Sequence, residues 1–122
     1  MTPKFFFDAS AIIRVVQGED EFAPYANQSI VTERGHVFEF TRHLVKTVGA
    51  RGARESLSRL RAARVEPTDE DLVEAAKLVT RSTSLSAQDA LGYVLARRER
   101  LVFLTTDRAF RNMPGAEVVD VA

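Results

Sequence analysis

The chain contains no cysteine, which excludes a disulfide framework and any metal site built on thiolates. It has no apolar run approaching the roughly eighteen residues that a membrane-spanning helix needs. The first ten residues, MTPKFFFDAS, meet an acid at position 8 and lack the long apolar core of a secretion signal, so a cytoplasmic protein is expected. Internal repeats and low-complexity segments are missing too. Nor is one sign of charge in excess, since seventeen basic residues balance seventeen acidic ones. Overall charge therefore gives no hint of a nucleic-acid partner.

What is present fits an ordinary soluble domain. The 122 residues, 45% of them hydrophobic and 28% charged, suit one domain spanning 1–122. A chain of this length buries roughly two-thirds of its unfolded surface. Charge is uneven along it. Residues 42–64 carry Arg42, Lys46, Arg51, Arg54, Arg59, Arg61 and Arg64 against one acid, Glu55. Such a block is a solvated face or a phosphate-binding surface.

Short apolar runs alternate with helical patterns. The spacing predicts strands at Lys4–Phe7, in SIVT, in RVEP, in LVFLTT and in AEVVDV. Between them, helices are expected over ASAIIRVV, around EDEFAPYAN with a break at Pro24, over about 33–48, and over ARESLSRLRAA after Gly49 and Gly52. Thr68 with Asp71, and Ser86 with Asp89, have the spacing of capping boxes that open two further helices. Strands alternating with helices of ten to fifteen residues imply an α/β fold, a mainly parallel sheet between helical layers. Ligands of such sheets bind beyond the carboxyl ends of the strands.

Two apolar runs finish on an acid at that edge: KFFFD at Asp8 and LVFLTTD at Asp107. Each can be a helix cap, but two such acids at one edge also point to a shared site. Asp89 sits in the first turn of its helix, where a negative charge suits the helix dipole. Glu39, between Phe38 and Phe40, falls outside the Val37, Thr41, Leu44, Val45, Val48 stripe and beside His36, His43 and Lys46. It reads as a solvated acid or a functional one, with Glu33 as its rival. A His36, Glu39, His43 metal set shares that face but lacks a third ligand at a diagnostic spacing.

FFFDASAII, the acid near position 39 and LSAQDALGYVLARRERLVFLTTDRAF resemble the PIN-domain family, most closely its small stand-alone members, the VapC-type toxins of toxin–antitoxin pairs. The resemblance covers essentially the whole chain and is most specific in its last third. It implies a five-stranded parallel sheet and a cluster of acids binding Mg²⁺ or Mn²⁺. The activity implied is metal-dependent cleavage of RNA that leaves a 5′-phosphate and a 3′-hydroxyl. The family's four acids fall on Asp8, Glu39, Asp89 and Asp107, and its supporting hydroxyl on Thr105 or Thr106. An RNA substrate, a VapB-like antitoxin and a homodimer are implied as partners, with Arg42, Lys46, Arg51, Arg54 and Arg61 as the candidate RNA contacts. One departure is Ala109, where many relatives carry a further acid, and it leaves the number of ions open.

An all-oxygen site suits a hard cation, and converging carboxylates need one to relieve their repulsion. Two other readings differ in class. A PIN-like module without activity would hold RNA or a protein. A phosphotransfer enzyme of the haloacid dehalogenase kind would want a second Asp where Ser10 stands.

Overall fold

A computed structural model describes residues 2–121. Its strands are β1 (Phe5–Phe7), β2 (Ile30–Thr32), β3 (Ala62–Arg64), β4 (Val102–Thr105) and β5 (Ala116–Val118). They form one all-parallel sheet in the order β3-β2-β1-β4-β5. The central strand β1 sets Phe6 opposite Val31 on one side and Phe103 on the other. The helices are α1 (Ala9–Val16), α2 (Arg34–Arg59), α3 (Asp69–Arg81) and α4 (Ala87–Arg98), with 3₁₀ turns at Asp20–Tyr25 and Arg108–Phe110. No helix among the described residues is long and apolar enough to cross a membrane.

The triple phenylalanine explains the layering. Successive strand residues face opposite sides, so Phe6 enters one core with Phe103, Tyr93, Leu95 and Phe110, under α4. Phe7 enters the other with Leu104, Ile12, Phe22, Phe40 and Leu44, under α1 and α2. Phe6, Phe7, Phe103 and Leu104 are all fully buried, each contributing roughly 1.5–3 kcal/mol of transfer free energy. A strand covered on both faces can afford no polar residue until its end.

α2 departs from the expected stripe. Its buried residues before the break are His36, Val37, Phe40 and Leu44, while Phe38, Val45 and Val48 are exposed. The stripe drawn through Val45 and Val48 is therefore corrected by one helical row. Gly49, at φ 80° and ψ 171°, breaks the helix into two runs, a conformation open essentially to glycine alone. Arg51 and Arg54 lie beyond that break.

Candidate active site

Asp8 is the N-cap of α1, with extended backbone (φ −74°, ψ 175°) and a carboxylate accepting the Ala11 N–H at 2.8 Å. It is also only 2% exposed, and it accepts from the Ser10 hydroxyl at 2.6 Å and from the Thr105 hydroxyl. Burial pushes its pKa up, against those three donors and the nearby His36. The cap and the candidate site residue are thus one side chain.

Asp107 follows β4 in the same way. Its carboxylate accepts the Ala109 N–H at 2.9 Å, and its own N–H donates to the Thr105 hydroxyl at 3.0 Å. Thr105, fully buried, ties the two strand-end acids together. Thr106 instead lines the surface above them, its N–H donating to Ser10 at 3.2 Å.

Asp89 enters from α4. Ser86 caps that helix by accepting the Asp89 N–H at 3.1 Å. In α3 the matching acid, Asp71, completes a capping box by accepting the Thr68 N–H at 2.8 Å. Among the described residues Asp89 makes no such return bond, so only half of the expected box forms. Its carboxyl faces the other acids. Burial first, then the charges of Asp8 and Asp107, push its pKa up to about 7.

These three acids and Glu39 line one depression of about 430 Å³, with Ser10, His36, Gln88 and Thr106. Glu39 pairs with Arg42 at 3.2 Å. Glu33 stands elsewhere: it is buried and accepts from the Gln88 amide at 2.7 Å, and it does not line the depression. Arg42 and Lys46 border an adjoining recess. Arg61 lines a separate cavity of about 770 Å³ at the amino ends of the strands, and Arg51 is fully open to solvent, 4.0 Å from Glu55.

The sequence set His36 beside Glu39 on a solvated face, or in a metal set with Glu39 and His43, whereas the structure buries it completely. The Ala9 N–H donates to Nδ1 at 3.2 Å, so Nε2 carries the hydrogen and donates to the Gln88 carbonyl at 3.1 Å. Burial lowers the imidazole pKa, keeping it neutral. His36 thereby clamps the starts of α1 and α4, which carry Asp8 and Asp89. Both ring nitrogens being engaged, the His36, Glu39, His43 metal set does not form. In sequence, His36 stands in one helical row with Phe40 and Leu44, and in the fold Gly92 makes room for the ring, since a Cβ there would stand 2.6 Å from Nε2.

The donor set is all oxygen, four carboxylates and nearby hydroxyls, which fits a hard divalent ion. As the side chains stand, no group of three acids or histidines among the described residues is close enough to grip one.

The family model of the PIN domain matches residues 5–116. Among curated proteins no sequence match was found. Among solved structures, the chain is similar to VapC20 of Mycobacterium tuberculosis, a sarcin-ricin loop cleaving toxin (TM-score 0.74, 16% identity, covering 96% of this chain and 100% of that one). It is also similar to a toxin–antitoxin complex from Klebsiella pneumoniae (0.75, 19%, 94% and 97%). A third likeness is to VapBC2 from Rickettsia felis bound to a promoter DNA fragment (0.71, 14%, 95% and 98%). At these identities the likeness is one of fold.

Proposed function

Because the chain belongs to the PIN domain family, we propose that it is a metal-dependent endoribonuclease and the toxin half of a toxin–antitoxin pair. The observation that carries this reading is the convergence of four carboxylates, from the ends of β1 and β4 and the starts of α2 and α4, on one depression. In it, Asp8, Asp89 and Asp107 would hold Mg²⁺ or Mn²⁺ directly or through water. Such an ion lowers the pKa of a bound water and stabilises charge on a phosphodiester.

The chain's own residues do the rest. Thr105, Ser10 and the Ala11 N–H fix the Asp8 carboxylate, so its position costs no reorganisation during the reaction. His36 fixes the relation of α1 to α4. Glu39, half exposed beside the other acids, is placed to bind the ion or to orient the attacking water. Hydrolysis then adds water to phosphorus and breaks its bond to the 3′ oxygen. That oxygen leaves as a hydroxyl, and the phosphate stays on the 5′ side.

Support for an antitoxin partner comes from the Klebsiella and Rickettsia neighbours, whose structures are toxin–antitoxin assemblies. A basic side chain of a VapB-like tail would reach the acids in place of metal, through charge-assisted hydrogen bonds. The homodimer and cytoplasmic location belong to the same proposal. Incubation of mixed RNA with the protein and Mn²⁺ is expected to give fragments with 5′-phosphates, and a chelator or Asp89→Asn to stop it. Intact RNA with the unaltered protein and either ion would leave the inactive binding module, the reading that Ala109 favours.

A further inference from the structure

We propose that a nucleotide subsite adjoins the acids: Arg42, His43 and Lys46 seat one backbone phosphate of a single strand, and Phe38 stacks on the attached base. The inference rests on the ribonuclease reading and specifies how the strand is held.

A recess of about 290 Å³ is lined by Arg42, His43 and Lys46 together with Ser10 and Ile13. It shares Ala9, Ser10 and Glu39 with the acidic depression, so the two hollows touch along one wall. One is acidic and suits a cation, and the other is basic and suits an anion. A polyanion lying across that wall would put one phosphate at the acids and its neighbour in the basic recess. In the free protein Arg42 pairs with Glu39 at 3.2 Å. Exposed pairs of this kind are weak, about 0–1 kcal/mol, so a phosphate displaces Glu39 readily.

Phe38 is 64% exposed. Positions four residues to either side on its helix are Arg34 and Arg42, both exposed. At 100° per residue, Phe38, Arg42, Lys46 and Glu39 follow one another around α2 in steps of about 40°, 40° and 20°. Phe38 is not part of the recess lining, but it lies one turn before Arg42 on the side of α2 away from Glu39, within reach of a base attached to a phosphate seated there. Exposed aromatics beside cations are the recurring platform for single-stranded bases, which stack without sequence preference. Val45 and Val48 continue an apolar strip, but a second copy docking there would bring Arg34 and Arg42 of both copies together. The charge favours the polyanion.

The test uses Asp89→Asn with Mn²⁺ and a fluorescein-labelled single-stranded RNA of about ten nucleotides, read by anisotropy against salt. In that background, Phe38→Ala and Phe38→Leu are expected to weaken binding about tenfold with an unchanged salt slope, and Phe38→Trp to retain it. Arg42→Gln with Lys46→Gln should flatten the slope by about 0.7, one single-strand phosphate, rather than twice that. Lys77→Gln with Arg81→Gln, on α3 and outside both hollows, should leave the probe's affinity within twofold. The proposal is overturned if Phe38→Leu binds like Phe38, if Phe38→Ala changes only the oligomeric state, or if the probe does not bind at all. Probe binding with these responses but no cleavage by the unaltered protein would refute the nuclease reading and leave the subsite standing.

Discussion

Asp89 and His36 make opposite demands on pH. For Asp89 the folded pKa, about 7, lies above the unfolded 3.8. The folded state then binds more protons between those values, so this group's contribution to stability falls as pH rises from about 4 to 7. Melting in chelator should show that loss, and Asp89→Asn should flatten it while abolishing cleavage. For His36 the folded pKa lies below 6.5, so its contribution is present above that pH and fades as pH drops through it. His36→Ala should cost about 3 kcal/mol in denaturant titration, from two lost hydrogen bonds and a cavity beside Gly92. The strand-end acids were legible because a buried strand tolerates a carboxylate only where it stops. His36 was not, because helical periodicity places a polar residue on the outside by default, and only tertiary contacts reveal a satisfied buried imidazole.

Elements were legible where local chemistry is strong. Four of the five strands and the starts of the main helices lie where apolar runs, caps and breakers put them, within about three residues. β3 is the correction: Ala62–Arg64 form it where the spacing carried the ARESLSRLRAA helix on to Ala63, and RVEP meets it only at Arg64. The Thr68–Asp71 box formed in full, whereas only the Ser86 half of the second box did. Sequence spacing cannot tell these apart, because both acids stand three residues after their caps, and only the fold decides that Asp89 lines the acidic depression instead of turning back to the cap. α2 was half legible: Gly49 marked its break, but the wheel was drawn around valines that the sheet leaves outside. Strong β-branched apolarity outweighed His36 and Phe40 in that reading, and the tertiary contacts chose otherwise. Gly49→Ala should destabilise the protein by roughly 1–3 kcal/mol, since φ 80° with ψ 171° strains any Cβ. Gly49 has open space around it, so the loss reports backbone strain alone. An unchanged denaturation midpoint would mean the two runs of α2 join as easily without the break.

At the scale of the molecule, the parallel sheet brings Asp8 and Asp107 to one edge, and α2 and α4 deliver Glu39 and Asp89 to the same place. Successive members of the set stand 31, 50 and 18 residues apart in the chain, and Asp8 and Asp107 stand 99 apart, so their convergence exists only in the folded state. An ion held by them is a ligand of the native protein alone, and it stabilises by RT ln(1 + [L]/Kd), about 2.7 kcal/mol at a hundredfold excess over Kd. Mn²⁺ should therefore raise the melting temperature of the unaltered protein. Asp8→Asn keeps the cap, since Asn serves a helix start about as well as Asp. It also removes a buried charge that burial disfavours. In chelator that variant should melt at or above the unaltered protein, and its response to Mn²⁺ should shrink. The Ser10 and Thr105 hydroxyls can rotate to meet the amide, so the fold has no reason to fail. Equal metal responses in the two proteins would reduce Asp8 to a cap, and no response in either would remove the cation from the site altogether.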